Sequence, residues 1–264
     1  MKAVIFCGGL GLRMGETSVR VPKPMITIGD KPILWHIMDY YSSFGVTDFI
    51  LCLGYKAEVV KEYFLNYNEA LSNDFVLSDG GKRVELLQRD IHNWSMTFVD
   101  TGLHSPIGER LKKVEPYLEG EEFFLATYGD GLTDAPLPAM IQTLRESGKT
   151  GLFLASHPTY SFHMATFDGD NCVSALEDSA ANVWINAGFF VFHREILDYI
   201  RAGEDLVEEP FARLIAEKRL LAYPYDGFWA PMDTLKDRND LEGMLEAGNA
   251  PWRSPRGLPS TERA

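Results

Sequence analysis

A short apolar run from Lys2 to Cys7 ends directly in the glycine-rich stretch GGLGLRMG, which begins at Gly8. Backbone N–H groups in such a stretch can converge on anionic oxygens, and glycines admit a phosphate without a side chain in the way. Gly8, Gly9 and Gly11 supply the bend, and Arg13 adds a cation. Ten residues beyond Arg13, Lys23 stands between Pro22 and Pro24 in VPKPM. The prolines stiffen the backbone and deny it helix continuation, so a long cationic side chain is carried on a rigid strut. That arrangement suits a phosphate clamp. A ligand-free turn and a solvated lysine are the plainer readings of each feature alone, and their combination favours phosphate.

Two common phosphate motifs are excluded. A P-loop needs Gly-Lys-Ser/Thr after four spacer residues, and the chain has none. A dinucleotide fingerprint fails because Met14 occupies the place of the third glycine and no acid ends the second strand.

The elements that must position these residues follow from periodicity. Lys2 to Cys7 and Asp48 to Leu53 read as buried strands, and Ile33, Leu34, Ile37, Met38 and Tyr41 recur at helical spacing between them. Further helices are expected over Glu58 to Tyr67 and around Glu109 to Leu118, then a strand in EFFLATYGDG. This alternation implies right-handed βαβ units and a parallel sheet covered on both faces. After Gly148 come the strands TGLFLASH, CVSAL, WINAGFFVF and LLAYPYDGFW, with helices near Glu208 to Glu217 and Thr234 to Ala247. Residues 1–247 are expected to form a single domain, with an insertion or subunit-contacting arm near 73–94. The segment 248–264 mixes Pro, Gly and charge without periodicity and is expected to be poorly ordered.

A net charge of −13 argues against general nucleic-acid binding, which demands clustered Lys and Arg, but leaves room for a local polyphosphate pocket. Apolar runs fall far short of the roughly 18 residues of a membrane helix, and no secretory pattern opens the chain, so a cytoplasmic protein is expected. Cys7, Cys52 and Cys172 are too few for a disulfide framework or a structural zinc site. His36 and His104 read as structural.

The ordered series GGLGLRM, PKPM, KPILWHIM, GYKAEVVKEYF, YGDG, WINAGFFVF and GFWAPMDT resembles the sugar-nucleotide pyrophosphorylases, and among them the glucose-1-phosphate cytidylyltransferases, from Met1 to about Ala247. The resemblance implies an α/β fold of nucleotide-diphospho-sugar transferase type, a Rossmann-like doubly wound mixed sheet. It implies CMP transfer from CTP to a phosphorylated small acceptor with release of pyrophosphate, in a homo-oligomer. Residue by residue, it implies that Gly8, Gly9 and Gly11 shape the nucleotide loop and that Arg13 and Lys23 bind the triphosphate. Asp130, next to Gly129 of the nucleotide site, and Asp233 would hold Mg2+. Arg110 would assist at the phosphates from its own or a neighbouring subunit, and Asn186 and Glu177 would face the acceptor. The plainer readings make Asp130 a turn residue and Asp233 a helix-entry carboxylate.

Three positions depart from the pattern. Leu12 replaces a hydroxyl residue of the loop, Glu177-Asp178-Ser179 stands where relatives have Glu-Lys-Pro, and His163 replaces a glycine that approaches the sugar. An anion in place of a cation beside a phosphate bears on acceptor choice, for which His163, His157 or Arg194 could supply a substitute cation. The alternatives are therefore another acceptor phosphate or phosphonate, dTTP or UTP in place of CTP, or a non-catalytic nucleotide-binding subunit.

Overall fold

Strands buried on both faces build the centre of the molecule. In the computed structural model, which describes residues 1–8, 21–158, 163–178 and 183–253, seven strands join into one mixed sheet. They are β1 Lys2–Phe6, β2 Asp48–Leu53, β3 Ser95–Asp100, β4 Phe123–Tyr128, β5 Gly151–Ser156, β6 Ile185–His193 and β7 Leu220–Pro224. Around them lie α1 Ile33–Ser43, α2 Ala57–Leu65, α3 Ile107–Lys113, α4 Leu137–Ser147, α5 Glu209–Ala216 and α6 Leu235–Glu246.

The strand order is β7-β5-β6-β4-β1-β2-β3. β1 runs parallel to both β2 and β4, β2 to β3, and β5 to β7, while β6 is antiparallel to β4 and β5. The chain moves outward from β1 through β2 to β3, then returns to β4 on the other side of β1. Open α/β sheets bind ligands at such a reversal, outside the carboxyl ends of the two strands. Here those ends are Phe6 and Tyr128.

Successive residues of each strand feed two cores. Ala3, Ile5, Cys7, Phe49, Leu51 and Leu53 pack with α1 on one face, whereas Val4, Phe6, Ile50 and Cys52 meet Leu111 of α3 and Leu214 of α5 on the other. The doubly wound mixed sheet expected from the sequence is the fold observed. The helix expected over 109–118 stops at Lys113 and gives way to a 3-10 turn over Glu115–Leu118, because Pro116 cannot continue an α-helix.

Residues 73–94 form an outlying ribbon, in which Phe75–Ser78 pairs antiparallel with Arg83–Leu86. The register sets Phe75 opposite Leu86 and Leu77 opposite Val84, so one face is apolar, and Phe75, Leu77 and Val84 are exposed. At its base Lys31 is buried, donates to Ser72 Oγ at 2.6 Å, pairs with Asp90 at 3.4 Å and lies over the rings of Trp35 and Tyr67. The expectation of disorder beyond Ala247 does not hold for residues 248–253. Trp252 is buried, stacked on Phe228 at 5.4 Å and edge-on to His36 at 6.2 Å, so apolar burial orders the start of this segment. The remaining residues, 254–264, lie outside the described structure.

Candidate active site

Lys23 opens a 3-10 turn, Lys23–Met25, whose Pro24 and Met25 are buried. Their burial holds the strut against the sheet end, while the Lys23 ammonium reaches into the crevice. There its Nζ lies 2.6 Å from Asp130 Oδ2 and 2.6 Å from Asp233 Oδ1. Three residues separated by more than a hundred positions in sequence thus meet at one point. Burial works against the charged ammonium, yet Asp130 and then Asp233 outweigh it and raise the Lys23 pKa above the ordinary lysine value.

Each carboxylate has a local cause. Asp130 follows β4 by way of Gly129, whose N–H donates to Phe6 O at 3.1 Å. A Cβ on Gly129 would lie 2.9 Å from Phe6 O and 3.0 Å from Pro24 Cγ, so only glycine lets the β4 end touch both β1 and the lysine strut. Asp233 stands just before α6, but the capping box there is made by Thr234 and Asp237. The Asp237 carboxylate also accepts the Asp233 N–H at 2.9 Å, leaving the Asp233 side chain to face Lys23.

Beside this triad is a cleft of about 330 Å³ lined by Tyr128, Asp130, Pro158, Asn186, Trp229 and Asp233 among others. A bulge in β6 shapes one wall. Gly188 at φ +78° lies so close to the Tyr128 ring that a Cβ would come within 2.2 Å of it. The Gly188 N–H donates to Asn186 Oδ1 at 2.9 Å, and Trp229 Nε1 donates to Ala187 O at 2.9 Å. The bulge therefore presents Asn186 to the cleft and pins the indole as a wall. Sequence reasoning missed Tyr128 and Trp229, although both lie inside the motifs YGDG and GFWAPMDT.

The other candidates divide. Gly8 is described and buried at the end of β1, whereas Gly9, Gly11, Leu12 and Arg13 lie outside the described residues. His163 and Glu177 sit in an antiparallel ribbon where His163 pairs with Asp178 and Met164 with Glu177; their side chains lie outside the described structure. His157 packs against Trp184 at 4.0 Å, with Nδ1 3.0 Å from Val183 O and Nε2 3.3 Å from Asp226. Arg194 is not near the cleft. It follows β6, whose antiparallel course carries His193 to the start of β4 opposite Phe123, and its side chain donates to Leu118 O.

Arg110 also departs from expectation. It is 3% exposed, and its guanidinium donates to Gly8 O, Leu53 O, Leu103 O and Thr101 Oγ1 rather than opening on the crevice. Burial lowers its pKa below the ordinary arginine value.

The two carboxylates are donors of the kind a divalent cation takes. Asp130 and Asp233 converge on one positive charge, and oxygen ligands of this kind suit Mg2+ when phosphate and water complete the shell. Among the described residues no group of three or more His, Cys, Asp or Glu forms, so a metal here would depend on oxygens from its substrate and solvent.

The nucleotidyl transferase family model matches residues 2–237. The chain is 42% identical over 256 residues to a glucose-1-phosphate cytidylyltransferase of Salmonella typhi, covering 96% of this chain and 99% of that protein. It is 37% identical to a probable glucose-1-phosphate cytidylyltransferase of Bacillus subtilis, with 96% and 99% covered. A UDP-glucose pyrophosphorylase solved with UDP-glucose shares the fold at a TM-score of 0.68 and 15% identity, covering 94% of this chain and 98% of that one. With a motif series running in register from β1 to α6 and a family match over nearly the whole chain, this protein belongs to the nucleotidyl transferase family and groups with its glucose-1-phosphate cytidylyltransferases.

Proposed function

We propose that this enzyme transfers CMP from CTP to glucose 1-phosphate, giving CDP-glucose and pyrophosphate. The observation that carries the chemistry is the Lys23 ammonium shared by Asp130 and Asp233 at the carboxyl ends of β1 and β4. Identity to the Salmonella protein carries the choice of nucleotide and acceptor.

The reaction needs an acceptor phosphate oxygen to reach the α-phosphorus in line with departing pyrophosphate. That oxygen is already ionised at neutral pH, so no general base is required. Positioning and electrostatics must supply the rate. Lys23 sits where it can exchange a carboxylate for a phosphate oxygen and stabilise charge developing on the leaving group. Trp229, Tyr128 and Asn186 offer an acceptor two aromatic surfaces and a polar side chain. Arg13 and the glycines at 9 and 11 are assigned to the triphosphate by the sequence pattern, and Glu177 and His163 to the acceptor. Asp130 and Asp233 would hold Mg2+, which supplies charge neutralisation between the phosphates and steadies the leaving group.

A second reading keeps the chemistry and changes the acceptor. It rests on Asp178 and His163, which stand where relatives carry lysine and glycine. The exposed apolar face of the 75–86 ribbon supports a homo-oligomer. Among the described residues no helix is long and apolar enough to cross a membrane, in keeping with the cytoplasmic setting we propose.

Pyrophosphate release by the purified protein with MgCl2, each nucleoside triphosphate and a panel of phosphorylated acceptors tests these assignments. Turnover with CTP and glucose 1-phosphate is expected. Turnover with CTP and only another acceptor would select the second reading, and nucleotide binding without turnover with any acceptor would refute both.

A further inference from the structure

The lysine strut and the helix that begins beside Asp233 are joined by a small hairpin. Lys23 O accepts the Ile26 N–H at 3.1 Å, and Thr27–Ile28 then pairs antiparallel with Lys31–Pro32. α1 holds this hairpin to the core: the Ile33 N–H donates to Ile26 O at 2.9 Å, and His36 Nε2 lies 3.0 Å from Ile28 O. α6 grips the hairpin at its turn. The Glu242 carboxylate accepts the Gly29 N–H through both oxygens, at 3.0 and 3.1 Å, and Arg238 Nε donates to Thr27 O at 2.9 Å. Arg238 and Glu242 pair with each other one helical turn apart, at 3.4 Å. A Cβ on Gly29, at φ +64°, would lie 2.6 Å from Leu245 Cδ2, so a glycine turn lets the helix sit this close.

Each side of the Lys23–Asp130–Asp233 triangle therefore has its own fastening. Pro24 packed on Gly129 sets Lys23 against Asp130. Strand pairing sets Asp130 against Asp233, because Pro231 lies opposite Gly131 and the Met232 N–H donates to Asp130 O at 2.8 Å. These two fastenings leave the triangle hinged at Asp130. The third side, from Lys23 to Asp233, closes through the hairpin and α6. The Thr234–Asp237 capping box and the Asp237 bond to the Asp233 N–H fix Asp233 to the start of the helix, and the Arg238–Glu242 pair fixes the helix to the hairpin that follows Lys23.

We infer that Arg238 and Glu242 are positioning residues for nucleotidyl transfer, a clamp on α6 that closes the Lys23–Asp233 side of the catalytic triangle. The inference rests on the nucleotidyl-transfer reading and deepens it. Hydrogen bonds from charged side chains to backbone groups are the stronger kind, and here they bridge two segments about two hundred positions apart. The acceptor wall is held by other bonds, Gly188 N–H to Asn186 and Trp229 to Ala187 O, which the clamp does not touch. Opening the clamp separates the ammonium from one of its two carboxylates. Lys23 becomes more reactive and grips the triphosphate less well, while acceptor affinity stays in place.

The test compares Glu242→Ala, Glu242→Gln, Arg238→Met and Lys236→Ala with the unmodified enzyme. Lysines are labelled with a trace of acetic anhydride and read by mass spectrometry, with Lys23 measured against the exposed Lys82 of the outlying ribbon. Steady-state kinetics with MgCl2, CTP and glucose 1-phosphate and a thermal melt as folding control complete the set. Glu242→Ala is expected to raise the Lys23 labelling ratio about fivefold and to lower kcat/KM for CTP about tenfold, with the KM for glucose 1-phosphate within about twofold. Glu242→Gln keeps an oxygen for the Gly29 N–H and should stay within about threefold of the unmodified enzyme on both readings. Lys236→Ala breaks an exposed pair with Asp240 on the same helix and should change neither. Should Glu242→Ala fail to fold, Arg238→Met, which removes the bond to Thr27 O, decides by a rise of about twofold or more in the labelling ratio. An unchanged ratio in the folded variants would overturn the proposal. So would a glutamine variant as impaired as the alanine one, or equal rises in both Michaelis constants, which mark a general loss of structure. Absence of turnover by the unmodified enzyme would overturn the nucleotidyl-transfer reading, whereas the labelling ratio still decides whether the clamp holds Lys23, so the two failures are distinguishable.

Discussion

Replacing Lys23 with methionine removes the one charge shared by Asp130 and Asp233 while keeping most of the side-chain volume. Each carboxylate oxygen lies 2.6 Å from Nζ, so the two anions stand no more than about 5 Å apart once the ammonium is gone. Unit charges at that separation repel by roughly 3 kcal/mol at an effective dielectric near 20. Asp130 and Asp233 are 32% and 37% exposed, so water screens part of this and about 1–2 kcal/mol of destabilisation should remain. For a chain of this size that corresponds to a melting temperature lower by roughly 5 °C.

The sign of the Mg2+ response then discriminates. At the metal site proposed above, a divalent cation would bind the freed carboxylates and stabilise the variant by mass action. MgCl2 should therefore raise the melting temperature of Lys23→Met more than that of the unmodified protein, where cation and ammonium compete for the same oxygens. Turnover moves the other way, falling by about 10²–10³, because Mg2+ cannot replace the missing contact to the phosphates. The folded-state pKa of Lys23 is raised, so its stabilising contribution is fully present below the ordinary lysine value and is lost as pH rises through the folded value. The stability gap between the two proteins should accordingly stay flat from pH 6 to 9 and shrink only above about 10.5. Equal Mg2+ shifts in both proteins, or an unchanged melting temperature in the variant, would refute the shared-site argument.

Burial holds the His36 pKa down at about 4, against 6.5 for an unperturbed histidine. The neutral ring is preferred in the fold, so stability is complete above pH 6.5 and declines by up to about 3 kcal/mol as pH falls towards 4, which urea titrations at pH 7.5 and 4.5 would show and His36→Gln would flatten. Gly188→Ala adds a Cβ into the Tyr128 ring at a positive φ, and should cost about 2–4 kcal/mol and raise the KM for the acceptor more than for CTP, as steady-state kinetics would show. Trp252→Ala removes an indole packed on Phe228 and His36, and denaturant unfolding should show a loss of about 3–5 kcal/mol.

The sequence exposed the parts of the site whose chemistry is local. A proline-flanked lysine and two carboxylates placed just after strands can each be recognised within a few residues, and their meeting at 2.6 Å follows once β1 and β4 are neighbours and Trp229–Pro231 pairs with Gly131–Thr133. The order around Trp252 is not legible in the sequence, because periodicity measures a helix or strand and a single indole anchoring a loop has no period. Arg194 was misread for a different reason. As a cation it could serve an acceptor phosphate, but one antiparallel strand in an otherwise parallel sheet sends it to the end opposite the cleft.

Arg110 shows where local reading stops. In GERLKKV it is one of three cations on a short helix, and nothing in that heptad distinguishes the buried one from Lys112 and Lys113. Its burial is decided by the glycines at 8 and 54, each of which vacates space that the guanidinium occupies, while a Cβ on Gly102 would meet Ser105 and Lys113 beside it. In the sequence Gly8 belongs to the glycine loop and Gly54 opens GYKAEVVKEYF, with nothing to connect them to each other or to Gly102. Only the parallel pairing of β1, β2 and β3, which brings all three strand ends to one edge, makes them a single requirement. A charge enclosed by neutral carbonyls is therefore a property of the assembled sheet, and substitutions at Gly54 should perturb it as directly as substitutions of the arginine itself.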